Sequence, residues 1–196
     1  MGNDAGTRWG LFKKEARAYV NQVRGLWPGI EVPSLFAHQV RPGDLDHWHD
    51  DDRDLLIEHA RQQLDRQRAD IELVRQRSQF LFSTCLGALG LFGLAAGQVT
   101  SSMGAFIVAG LAVALVAFSL LGAAGIVVAR KGLRMVDTVI LTTFDPPIRP
   151  VLAAGLAASI SDGENTVATL ITVYRDAVLL LILGVAVFGG VWIATL

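Results

Sequence analysis

Residues 78–129 contain no Asp, Glu, Lys or Arg, and residues 177–196 contain none either. A hydrocarbon layer about 30 Å thick is crossed by roughly 20 apolar residues in a helix, so the first tract holds two crossings and the second holds one. The expected fold is an all-α membrane protein with three transmembrane helices, a hairpin plus a C-terminal span. Basic residues set its orientation. Twelve of the 17 Lys and Arg precede residue 78, the other five (Arg130, Lys131, Arg134, Arg149, Arg175) lie between spans two and three, and residues 97–102 have none. Under the positive-inside rule the N-terminus is cytoplasmic and the C-terminus lies outside the plasma (inner) membrane.

Two charged pieces remain. Residues 1–78 carry 12 basic and 13 acidic side chains, and residues 130–176 carry five of each, so neither offers the basic patch that nucleic acid requires. The single cysteine, Cys85, falls inside the first span, which excludes a disulfide framework or a thiolate metal cluster within one chain. The first residues lack an apolar h-region, so span one itself is expected to act as the insertion signal. The organisation reads as a cytoplasmic amphipathic helix and Pro/Gly/Asp-rich loop (1–52), a cytoplasmic stalk helix continuous with the first span (53–79), a two-span hairpin (80–129), a cytoplasmic helical segment (130–176) and a third span (177–196).

Within residues 9–27, Phe12, Ala16, Tyr19, Val20, Val23 and Trp27 recur at helical spacing, with a basic opposite face and Trp9 and Trp27 at the ends. Such a helix suits the surface of an anionic leaflet, and its stripe equally suits packing on the rest of the chain. A loop punctuated by Pro28, Pro33 and Pro42 follows and ends in His47, Trp48, His49 and Asp50 to Asp52. These are the only concentrated metal-ligand types. An i, i+2 histidine pair in a loop lacks rigid support, and the simpler reading of the aspartates is a helix start, where negative charge favours the dipole. No metal site is assigned.

From residue 53 the pattern sharpens. Ile57, Ala60, Leu64, Gln67, Ile71, Val74 and Ser78 follow a 3-4-3-4 spacing, which gives one seam able to pack against another helix and, in this reading, to associate chains. Gln67 on that seam would fix register or partner number at some cost in stability. No Pro or Gly occurs between residues 53 and 86, so the helix should run from water into lipid as one rod. In the spans, Gly93 and Gly97, Gly110 and Ala114, and Ala186 and Gly190 are small-xxx-small pairs expected to pack transmembrane helices. No ionisable residue sits at membrane depth, and only Ser83, Thr84, Cys85 and Ser119 are notably polar, which disfavours transport through a fixed charged site.

Beyond span two, residues 135–143 are expected to extend the helix until Asp145-Pro146-Pro147 stops it. A short helix to about residue 159 then follows, and its apolar run at 151–158 is too short to span: it either dips into the membrane as a re-entrant segment or packs against the 53–78 rod, and the packed helix is the expectation because it needs no special assumptions. Ser161 and Glu164 read as a capping box opening a separate last helix.

Catalytic signatures are missing: there is no phosphate-binding glycine loop, nucleophile elbow or zinc-binding His-Glu-x-x-His, and no enzyme activity or cofactor is expected. The layout, with the charged helix at residues 55–77 leading directly into Ser78-Gln79-Phe80-Leu81-Phe82, resembles bacterial membrane effectors of the SLATT and Pycsar transmembrane types over residues 53–196. That resemblance implies a helical module that oligomerises and compromises the inner membrane when a nucleotide-signalling partner triggers it, with the signal arriving from another chain. The leading expectation is an oligomeric inner-membrane effector or pore-forming module. A non-catalytic subunit of a membrane complex and a phage-type holin are the alternatives, and the expected partners are the lipid bilayer and either further copies or a membrane complex.

Overall fold

A computed structural model describes residues 47–99, 103–129 and 148–195, together with Arg17, residues 19–23 and Leu26. Every regular element among the described residues is helical. Three long helices dominate: α1 (Asp50–Val99), α2 (Met103–Val128) and α3 (Ile148–Thr195). Each contains a stretch long and apolar enough to cross a membrane. Helical turns at Arg17 and residues 19–23 precede them.

α1 is the uninterrupted rod that the absence of Pro and Gly between residues 53 and 86 predicts, and it continues through Gly87, Gly90, Gly93 and Gly97. The amide of Arg53 donates to the His49 carbonyl at 3.1 Å, so His49 occupies the cap and Asp50, Asp51 and Asp52 fill the first turn. Three carboxylates there oppose the positive end of the helix dipole. α3 departs from expectation. It passes without a break through Ser161 and Glu164, so the capping box does not cap and the two expected helices are one. Local hydroxyls explain how polar residues are carried in its interior: Ser159 donates to the Gly155 carbonyl, Thr166 to Asp162 and Thr169 to Asn165. Those i to i−4 bonds satisfy side chains that would otherwise compete for the backbone. The expected extension at 135–143 lies outside the described residues.

The described residues fall into two units. The first holds residues 47–73 and 148–169. Here α1 and α3 run parallel: Arg149 lies 3.5 Å from Asp50 and 3.7 Å from Asp54, and further along the Gln67 side-chain amide donates to the Ile160 carbonyl at 3.1 Å. Between these contacts Ile57, Ala60 and Leu64 pack on Ala153, Ala154 and Leu156. The expected packing of the 151–158 run on the charged rod is therefore present. Alanines on α3 let the two backbones close up, while the exposed ion pairs add little, about 0–1 kcal/mol each.

The second unit holds residues 19–26, 74–129 and 170–195 and is a three-helix bundle with α2 antiparallel to α1. Leu81, Cys85, Phe92 and Ala95 of α1 meet Ala112, Val116 and Ala123 of α2 and Ala177, Leu181 and Phe188 of α3. Phe92 and Phe188 stack with centroids 3.9 Å apart, and Trp192 meets Phe188 edge-on at 6.3 Å. In lipid such contacts hold helices by dispersion and shape, since water exclusion no longer distinguishes inside from outside. The outer surface is apolar as well. Phe80 is 77% exposed, Leu94 85% and Ile193 76%, in the manner of side chains that meet acyl chains.

Candidate functional site

Two kinds of surface organise the bundle: a polar clasp in its interior and a set of bare small-residue faces outside. The clasp begins with α1 and α2. Arg75 donates to the carbonyl of Ala129, which ends α2, a helix with no basic residue in its own last turn. α1 thus supplies the positive charge that the negative end of α2 favours. One layer further in, Ser119 donates to the Ala177 carbonyl at 2.7 Å, and the Cys85 sulfur lies 3.2 Å from the Ser119 oxygen. A hydroxyl has a single hydrogen. With that of Ser119 directed at Ala177, the Cys85 thiol is the donor to Ser119, and the chain of bonds joins α1, α2 and α3 in one layer. Cys85, Ser119 and Ser78 are all fully buried.

The N-terminal helical turns dock beside this layer. Tyr19 donates its hydroxyl to the Phe118 carbonyl at 3.1 Å and lies over Gly122, while Val23 and Leu26 face Gly125. Of the expected stripe, Tyr19 and Val23 pack on the chain, joined by Leu26, whereas Val20 is exposed and Phe12, Ala16 and Trp27 lie outside the described residues. Burial pushes the Tyr19 phenol well above its ordinary range, and the negative charge of Asp176 adds to that shift.

The small residues of the spans divide by role. Gly93, Gly97, Gly110, Ala114, Ala186 and Gly190 are all exposed. A methyl added at Gly93, Gly110 or Gly190 would meet nothing within 4 Å, so none of these three makes the close contacts between spans of one chain, and a methyl at Gly97 would likewise enter open space. The close approach occurs instead at Gly184. A methyl there would stand 2.6 Å from Val116 and 3.0 Å from the Ala112 carbonyl. Gly122 plays the same part under Tyr19 and near Ala177.

The charged seam has the converse fate. Ile57, Ala60, Leu64, Gln67, Ile71 and Val74 are buried within the single chain, as is Ser78. In the unit of residues 47–73 and 148–169 that face is covered by α3 of the same molecule. Gln67 uses its amide nitrogen on Ile160, and its side-chain oxygen has no partner.

His47 and His49 are exposed beside Asp50, Asp51 and Asp52, and no group of three His, Cys, Asp or Glu converges among the described residues. Ser83 and Thr84 bond back to the carbonyls of Gln79 and Phe80 on the exposed face of α1. Ser83, Thr84 and Ser119 thus each commit their hydroxyl hydrogen to a backbone carbonyl, and Cys85 pairs with the Ser119 oxygen, which makes these side chains fasteners for helices. No family model, curated protein or solved structure matches the chain.

Proposed function

We propose that the protein is an oligomeric inner-membrane effector or pore-forming module that acts through association of its helices, with its N-terminus cytoplasmic and its C-terminus outside. The observation that carries this reading is the unused glycine face of α1. Gly87, Gly90 and Gly93 leave room for a neighbouring backbone along much of the span, while the hydrophobic contacts that hold the chain itself are made elsewhere. Glycine is a poor helix former, by about 1 kcal/mol relative to alanine, so four in one span are a cost that close helix packing in lipid would offset. The association surface in this proposal is the set Gly93, Gly97, Gly110, Ala114, Ala186 and Gly190, all outward-facing, and the 57–74 seam serves the fold of each copy.

The bare glycine face also makes the test clean. Gly93→Leu combined with Gly97→Leu adds side chains into open space, so each chain keeps its bundle while close approach of a second helix is blocked. Induced expression is expected to depolarise the inner membrane, read with a potential-sensitive dye, and the double variant is expected to abolish depolarisation and the cross-linked oligomer together. Unaffected growth and potential at high expression of the unaltered chain would favour the rival role as a non-catalytic subunit. Ile71, although on the expected seam, is unsuitable as a probe because its substitution disturbs the interior of the chain.

A further inference from the structure

We propose that the segment carrying Tyr19, Val23 and Leu26 is a releasable strap, its three side chains seated in a glycine notch of α2 in one state and bound to an anionic bilayer surface in the other. The notch is specific. Tyr19 reaches the Phe118 carbonyl because residue 122, one turn along α2, has no side chain to cover it. A methyl at 122 would collide with the Tyr19 hydroxyl and stand 3.2 Å from its ring carbon and 3.3 Å from the Ala177 side chain. At Gly125 the fit is looser, with Leu26 at 3.5 Å and Val23 at 3.7 Å from such a methyl. Tyr19, Val23 and Leu26 are thus the three side chains of one stripe that fill the notch, and Arg17, Val20 and Asn21 are turned outward.

That stripe has a second use. In the sequence it is backed by Arg8, Lys13, Lys14, Arg17 and Arg24 against the single acid Glu15, the composition of a helix that lies on an anionic leaflet. Burying the stripe in lipid and burying it against α2 are mutually exclusive, so the segment is a two-state element whose balance an anionic surface biases. Release uncovers Gly122 and Gly125 together with the Phe118 carbonyl. The inference requires the three helices to lie in a bilayer and does not require copies to associate.

Full-length protein carrying Val23→Cys and Gly125→Cys, with Cys85→Ser to remove the native thiol, reports the seated state as an intramolecular disulfide. In vesicles of phosphatidylcholine the cross-link is expected to form efficiently. Addition of phosphatidylglycerol should lower its rate several-fold, and high salt should restore it, because the attraction is screened. Charge reversal at Lys13, Lys14 and the exposed Arg17 should keep the cross-link in anionic vesicles. Equal rates in the two lipid compositions, or a loss that salt and charge reversal leave untouched, would overturn the proposal, the second outcome pointing to a protein partner. Association between copies is read separately, as an intermolecular product, so failure of one idea leaves the other standing.

Discussion

The two halves of α1, one rich in charge and one free of it, share one seam. From Ile57 to Ala95 the buried positions are 57, 60, 64, 67, 71, 74, 78, 81, 85, 92 and 95, an alternation of threes and fours that skips only the half-buried Ala88. In the charged half the seam holds Ile57, Leu64 and Ile71 and the outer face holds Asp65, Arg66, Arg68 and Asp70; in the spanning half the seam holds Cys85 and Phe92 and the outer face Gly87, Gly90 and Leu94. The geometry of the seam is indifferent to the medium. With the apolar half in a bilayer, the force behind it would change from water exclusion to dispersion with hydrogen bonding, and each half would fail differently.

The largest expected effect is in the charged half. Leu64→Ala removes a buried side chain from a rigid, alanine-lined contact and should cost about 2–5 kcal/mol, whereas Leu55→Ala, at a residue 57% exposed, should stay within about 0.5 kcal/mol. Denaturant unfolding of the detergent-solubilised chain checks the pair. Equal effects would mean that the seam is not what holds this half together. Next comes a contrast between glycines of the spanning half. Gly184→Leu forces a side chain against Val116 and the Ala112 backbone and should cost about 3 kcal/mol, the upper end of ordinary overpacking, while Gly90→Leu enters open space and should leave unfolding unchanged. If both variants unfold alike, the division into inner and outer small residues is wrong.

That division explains what could be read from the sequence and what could not. Charged residues outlined the seam between Ile57 and Ser78, where a buried position stands out against Asp and Arg. Past Ser78 every face is apolar, the contrast vanishes, and small-residue pairs such as Gly93 and Gly97 are the pattern that remains visible. They lie on the outer face. Continuing the 3-4 spacing through the charge-free tract would have found Leu81, Cys85, Phe92 and Ala95, and the spacing of Ala112, Val116, Ser119, Ala123 and Ile126 marks the matching face of α2. Gly184 carries no such signal, because its role depends on where two helices cross. The three stretches long and apolar enough to cross a membrane are legible in the uncharged tracts, whereas the continuity of α3 is not, because Ser161 and Glu164 satisfy a local capping rule that a continuous helix overrides.

A smaller effect tests the polar layer. Ser119→Ala removes the acceptor of the Cys85 thiol and the donor to Ala177, and it should cost about 1 kcal/mol, in line with hydrogen bonds between helices in membranes. Ser119→Thr, which keeps the hydroxyl but adds a methyl to a fully buried site, separates the loss of the bond from the loss of space. If Ser119→Ala is neutral in detergent unfolding, the layer holds alignment only, and the spanning half rests on Phe92, Phe188 and the crossing at Gly184.

The last contrast runs in the stabilising direction and returns to the charged half. Gln67 is buried on the seam with one hydrogen bond made, to a carbonyl inside α3, and one side-chain oxygen left without a partner. An unsatisfied buried acceptor costs about 1–3 kcal/mol, and the bond that is made returns about 1 kcal/mol at best. Ile160 lies inside α3, so its carbonyl keeps the intrahelical bond when the glutamine is gone. Gln67→Leu should therefore leave stability unchanged or raise it by up to about 1 kcal/mol, unlike the loss expected at Leu64 three residues away in α1. What the glutamine provides in return is register, since a bond to Ile160 fixes which turn of α3 faces which turn of α1, and leucine accepts slippage. Cysteine pairs at Ala60 and Ala153 should cross-link in a single register with Gln67 present, and yield additional products one turn away in Gln67→Leu. A destabilised leucine variant would show instead that the oxygen is satisfied and that polarity on this seam contributes to stability.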